Sequence, residues 1–261
     1  TVKWLRCTGS VNVVADGAGN QADFDSVYTI RGLSSFAGSG SRDLVVANCV
    51  FGIGLTPGVG NLVFSKNWAG NPSQTWRATI NDCRFYLSGS SGTSSGDNSF
   101  KVDNLMGASF NRTRLDLYSA GANVTADMEI SRSRDLTFTD SRFNIRANSR
   151  NGAQVFYLRD STLRVTCVRD SFTRDPASTF SVVMNIPGSG DPNKSSPRSG
   201  EYYVFDHCYV DINDDMRVQW YAYALRITNS VLKVGQFVSA ATGTDVPFLD
   251  SLVFVHNTVY A

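Results

Sequence analysis

The sequence is poor in the residues that most functional motifs require. Its 261 residues contain only two histidines, His207 and His256, and no Cys-x-x-Cys pair. The ligand spacing of a structural zinc site is therefore missing, and no metal site is expected. No apolar run approaches the roughly 20 residues that cross a bilayer as a helix. Charge of one sign is not in excess: 24 Lys and Arg stand against 23 Asp and Glu, for a net charge of +1. That balance removes the field that gathers a protein onto nucleic acid or an anionic membrane, and neither is expected as a partner. Two-residue turns such as Asn-Gly are scarce, which argues against flat antiparallel hairpins. The chain starts at Thr1 with neither an initiator Met nor a signal-peptide pattern. It reads as a processed chain or as a segment of a longer one.

What the sequence does contain is a short pattern that returns eight times. A small residue (Cys49, Cys83, Thr113, Ser141, Ser161, Cys208, Ser230, Thr258) is followed two positions later by an apolar one, from Phe51 and Phe85 to Tyr260. Three positions before it stand Val46, Ile80, Phe110, Phe138, Leu158, Phe205, Ile227 and Val255. Alternation of apolar and polar residues is the strand period, since successive side chains point to opposite faces. The small residues lie 34, 30, 28, 20, 47, 22 and 28 positions apart, so a constant strand segment alternates with loops of variable length. Units of this kind cannot bury an apolar face alone and must stack on a shared core. The position before the small residue holds Asn48, Asp82, Arg112, Asp140, Asp160, His207, Asn229 and Asn257. Asn and Asp accept the left-handed conformation and suit a tight bend between two strands. Of the five cysteines, Cys49, Cys83 and Cys208 occupy the small inward column as compact apolar residues. A disulfide framework is not expected, although Cys49 and Cys83 stand one repeat apart and a bridge between them stays open.

The pattern resembles the right-handed parallel β-helix proteins, the group that includes pectate lyases, polygalacturonases and phage tailspikes. Phe254-Val255-His256-Asn257-Thr258-Val259-Tyr260 reads like a rung of that group. The resemblance implies an all-β fold, a single-stranded right-handed parallel β-helix with about eight or more rungs and long loop inserts. Residues 41–261 carry it, continuing or covered by a partner beyond 261, and residues 1–40 form a cap or first irregular rungs. Inserts are expected at Leu55–Trp76, Ser88–Ser99, Arg146–Gln154 and Ile186–Gly200, where solenoids commonly build binding surfaces.

Outward positions carry the candidate chemistry. Arg84, Arg114 and Arg142 each follow the small residue by one position and are expected to form a ladder on one face. Guanidinium groups so placed would grip the carboxylates or sulfates of an anionic glycan; alternatively Asp116 and other acids knit them into a solvated surface. Tyr86 stands beside the ladder, and Trp68 and Trp76 bracket an insert; their rings would stack on sugars, or pin the loop to the body. Asp206, Asp211, Asp214 and Asp215 cluster in sequence with His207 and Arg217, and glycoside cleavage commonly employs two carboxylates. Asp211, Asp214, Asp215 and His207 are the weak catalytic candidates, with turn-forming roles as the competing explanation. The resemblance to polygalacturonases extends to Asn213-Asp214-Asp215, but their Gly-His-Gly and Arg-Ile-Lys motifs are absent. Pectate lyases use calcium-binding carboxylates with an Arg base, which Asp211 with Arg164 or Arg142 would imitate; Ca2+ is implied only in that case, and no other cofactor.

No complete catalytic set assembles on one outward face. The expectation is a non-enzymatic extracellular or virion-surface module, structural or glycan-binding like tailspikes and decoration proteins, with a homotrimer or larger assembly covering the solenoid ends. The alternative is a polysaccharide lyase or glycoside hydrolase acting on an acidic polysaccharide.

Overall fold

Alternating apolar residues commit each short segment to a strand with one face to bury, and the chain buries those faces by coiling. In a computed structural model it forms a parallel β-helix of three sheets around one apolar interior. The structure describes the backbone of residues 2–3, 6–7, 11–16, 22–25, 28–29, 33–39, 42–51, 61–66, 76–89, 98–103, 105–119, 126–147, 153–159, 162–186, 202–217, 222–237 and 249–260. It describes the side chains of residues 46–50, 78–87, 100, 102, 105–118, 127–147, 153–158, 162–186, 202–217, 223–237 and 251–260.

Among the described residues the first and second sheets have ten strands each and the third has eight, and every pairing within them is parallel. One full turn runs through Arg134–Thr139 in the first sheet, Arg142–Arg146 in the second and Ala153–Arg159 in the third. Segments within residues 2–39 contribute strands to the same three sheets. The third sheet includes Asn61–Lys66, Asn98–Asp103 and Val182–Asn185; the first lies within an expected insert, the second begins in one, and the third ends just before one.

The corner between the first and second sheets is built from one left-handed residue and one small residue. Asn48, Asp82, Arg112, Asp140, Arg169, His207, Asn229 and His256 all have φ between 49° and 56°. The first seven donate their amides to a carbonyl on the next rung, as Arg112 does to Thr139 at 2.8 Å. At four of these corners a side chain from the next rung accepts from the amide of the residue that follows. Ser141 Oγ accepts from the Thr113 amide at 3.1 Å, Asp170 Oδ1 from Ser141 at 2.7 Å, Ser230 Oγ from Cys208 at 3.0 Å, and Asn257 Oδ1 from Ser230 at 2.9 Å. Short oxygen-bearing side chains thus recur in this column because they satisfy buried amides as well as fitting a narrow corner.

Two units of the repeat are placed differently from the sequence expectation. Leu158 and Leu163 do not flank this corner: Ala153–Arg159 belongs to the third sheet and Leu163–Val168 to the first. The corner of that turn is Arg169-Asp170, with Cys167 pairing with Phe138 and Phe172 pairing with Phe143. In the last turn the left-handed residue is His256 and the column residue is Asn257, one position earlier than expected, because Val255 pairs with Thr228. In both cases an apolar alternation passes unbroken through more than one corner, and only strand pairing identifies which corner it is.

Inside, phenylalanines stack from rung to rung. Phe110 lies on Phe138 with ring centres 4.9 Å apart, and Phe143 on Phe172 at 5.2 Å. Phe156 joins the two stacks edge-on, at 6.1 Å from Phe138 and 5.1 Å from Phe172. Offset and edge-to-face contacts add to the burial of each ring. This spine makes the outward side chains of the second sheet a fixed array.

Candidate ligand-binding face

The strands Arg84–Gly89, Arg114–Ser119, Arg142–Arg146, Ser171–Arg174, Tyr209–Asp211 and Val231–Lys233 lie side by side in the second sheet. Their first outward row brings Arg84 opposite Arg114 and Arg114 opposite Arg142. The three arginines of the sequence-derived ladder are therefore immediate neighbours. They are not equivalent. Arg114 forms a two-pronged ion pair with Asp116, with Nε 2.6 Å from Oδ2 and Nη2 3.1 Å from Oδ1. That contact holds the Arg114 guanidinium further above its ordinary pKa. Arg84 is exposed and lies 5.5 Å from the ring centre of Tyr86, a cation–π contact, with no ion pair among the described residues. Arg142 is exposed and has no ion pair among the described residues.

The second outward row is polar at every described rung: Tyr86, Asp116, Asn144, Thr173, Asp211 and Lys233. Neighbours along it are linked by hydrogen bonds. Asn144 Nδ2 reaches Asp116 at 3.5 Å, and Thr173 Oγ1 donates to Asn144 Oδ1 at 3.0 Å. Asp211 Oδ2 accepts from the Tyr209 hydroxyl at 2.6 Å and from Lys233 at 3.3 Å. A surface cleft of about 440 Å³ opens beside this row, lined by Asn144, Thr173, Arg174, Pro176, Asp211, Ile212 and Asn213. Arg174 braces its wall by donating to the carbonyls of Ser178 and Phe180. Amide, hydroxyl and carboxylate groups beside a proline and an isoleucine suit a polyhydroxylated ligand, which offers both hydroxyls and apolar C–H faces.

The residues that cluster in sequence around Asp211 are held in separate places. Asp211 alone among them lines the cleft. Asp214 and Asp215 sit in the bend before the third-sheet strand Met216–Arg217, where Arg217 contacts Asp215 at 2.9 Å and Asp214 at 3.8 Å. His207 is at the first corner, its Nδ1 3.0 Å from Asp206. Hydrogen bonds from Thr228 and Asn229, then His207, pull the Asp206 carboxyl down to about 2. Arg164, the other arginine considered beside Asp211, is paired with Asp135 at 2.5 Å, on a first-sheet strand. Among the described residues, no three His, Cys, Asp or Glu side chains come together as metal ligands. Trp68 lies outside the described residues. Trp76 is the first residue of the first-sheet strand Trp76–Asn81, and its side chain also lies outside the description.

Several residues of this face escaped sequence reasoning. Thr173 and Arg174 belong to the turn whose corner was misplaced, and the correct corner at Asp170 would have put Thr173 in the row of Asp116 and Asn144. Asn213 and Pro176 come from loops, where no periodicity points to a neighbour. The cysteines with described side chains add no chemistry to this face. Cys49, Cys83, Cys167 and Cys208 are buried thiols that form no disulfide. Burial pushes the Cys208 thiol up to about 12 and raises those of Cys83 and Cys167 well above the ordinary thiol range, so all three stay protonated and inert.

Comparison of the chain with protein-family models, with curated proteins and with solved structures finds no match.

Proposed function

We propose that this protein is an extracellular or virion-surface β-helix module whose second-sheet face binds an acidic glycan. The observation that carries this is the continuous polar row Asp116-Asn144-Thr173-Asp211, one side chain per rung, running beside exposed Arg142 and into the cleft. Strands spaced about 4.8 Å apart repeat on roughly the length of one sugar, so an extended glycan along the solenoid axis meets a hydrogen-bonding group at each residue. Arg84 and Arg142 supply charge-assisted contacts to its acidic groups. In an assembly, a homotrimer or larger, neighbouring copies would cover the exposed apolar residues of the last rung, among them Leu252, Phe254 and Val259.

The lyase or hydrolase alternative needs a second acid–base group facing Asp211. Among the described residues Asp211 is the only carboxylate lining the cleft, and Asp214 and Asp215 are engaged by Arg217. Binding without cleavage is therefore the reading we adopt.

Incubation with a panel of uronate-containing polysaccharides separates the two. Binding is expected without new reducing ends or unsaturated products, and Arg142→Ala should weaken it by about tenfold, the range of a lost charged hydrogen bond. Cleavage products would establish the enzymatic alternative, and unchanged affinity in the variant would return Arg142 to a plain surface residue.

A further inference from the structure

Resting on the glycan-binding function proposed above, we infer that this face selects acidic polysaccharides with one acidic group per disaccharide over those with an acid on every sugar. The first outward row is not a uniform stripe of charge. Arg84, Arg114 and Arg142 occupy consecutive rungs, but Arg114 has both oxygens of Asp116 as its partners, at 2.6 and 3.1 Å. The row therefore alternates: an available cation, a neutralised pair, an available cation. Beyond Arg142 it continues with Ser171 and Tyr209, and before Arg84 it has Val50, none of them charged.

Two rungs separate the available guanidiniums, about 9.6 Å at a strand spacing of 4.8 Å. An extended glycan along the axis advances about one rung per sugar, so acids on alternate sugars fall opposite Arg84 and Arg142. The sugar between them faces the Arg114–Asp116 pair. A neutral sugar there offers hydroxyl or amide donors to the Asp116 oxygens, which a carboxylate can still accept beside an arginine. An acidic sugar there places a second anion against Asp116, and like charges brought that close repel. Asp116 is thus the specificity-determining residue: it lowers affinity for the densely charged polymer without touching the two outer contacts.

The test is calorimetric titration of the whole chain with three hexasaccharides of defined structure. One alternates uronate with N-acetylhexosamine, one is oligogalacturonate, and one is a neutral glucan. The alternating oligosaccharide is expected to bind about fivefold or more tightly than oligogalacturonate. Arg84→Ala and Arg142→Ala should each weaken it. Asp116→Asn, which frees Arg114 for a third acidic group, should raise affinity for oligogalacturonate several-fold and abolish the preference. Equal or tighter binding of oligogalacturonate to the unmodified protein overturns the spacing rule while leaving glycan binding in place, as does a preference that survives Asp116→Asn. A single-stranded RNA bound as tightly as the alternating hexasaccharide also overturns it, since any polyanion would then serve. Binding of none of the oligosaccharides removes the glycan function itself, and the inference with it.

Discussion

Asp170 differs in kind from the other residues of its column. Thr113, Ser141, Cys208 and Ser230 are neutral, whereas Asp170 brings a carboxyl to a site that is only 1 % exposed. Burial pushes this carboxyl up to about 7, against the opposing pull of hydrogen bonds from the Ser141 and Val168 amides. Folding therefore favours the protonated acid. In the unfolded chain the group titrates near 3.8, so its stabilisation is complete below about that pH and is lost as pH rises through 7. Above that range the native state holds a buried charge. Asp170→Ser, which installs the residue found at Ser141 and Ser230, should remove this dependence. The thermal midpoint of the parent protein should fall relative to the variant's between about pH 4 and pH 8, by the equivalent of a few kcal/mol. Parallel curves over that window would show that Asp170 keeps its ordinary pKa. Asp206 does not confuse the measurement, because its stabilising hydrogen bonds are lost only as pH falls from 3.8 towards 2.

At the scale of the element, the corner decides how one rung meets the next. A left-handed residue costs an L-amino acid with a β-carbon roughly 1–2 kcal/mol unless its side chain bonds locally, yet arginine and histidine occur there as well as Asn and Asp. Where the corner residue is an arginine it reaches back to an acid one rung earlier. Arg112 pairs with Asp82 at 2.6 Å, and Arg169 pairs with Asp140 at 2.6 Å. The column Asp82-Arg112-Asp140-Arg169 therefore alternates in charge along the axis, and these arginines hold the Asp82 and Asp140 carboxyls below their usual range. All four side chains are well exposed, so these pairs serve register more than stability. The buried column beside them contributes more. Ser141→Ala would leave the Thr113 amide without its acceptor, at a cost of about 1–3 kcal/mol. Ser141→Thr keeps the oxygen, as Thr113 does in the preceding rung, and should cost less. Urea denaturation midpoints for the two variants give the comparison; equal losses would mean that volume, not the hydrogen bond, controls the column.

Among the described residues each strand pairs only with strands of the rungs on either side, so the stack is quasi-one-dimensional. Leu249–Val255 pairs with Ala222–Thr228 on one edge only among the described residues, whereas Arg134–Thr139 is paired on both. Leu252, Val253, Phe254 and Val255 are accordingly exposed, and Leu136 and Phe138 are buried. Amide hydrogen exchange should follow this gradient, with Arg134–Thr139 protected longest and Leu249–Val255 exchanging early. Uniform protection along the stack would mean that the rungs open only together. Under the proposed function, a ligand running along the axis would meet one side chain per rung.

The residues alone determined the class of fold and most of one face. Alternation sets the strand period, and small residues set the corner, so Arg84, Arg114 and Arg142 were placed on adjacent rungs without any coordinates. Those are local properties: they follow from which way successive side chains point, and the sequence states them directly. Pairing across turns was not legible, because apolar alternation is the same at every corner; hence Asp170 was hidden behind Ser161, and Asn257 behind Thr258. Nor was partnership. That Asp116 takes Arg114 and leaves Arg142 free, or that Arg217 binds Asp214 and Asp215 away from Asp211, depends on distances of a few ångströms between groups whose sequence spacing carries no such information. Tertiary structure alone decided which charges are paired and which are exposed without an ion-pair partner among the described residues.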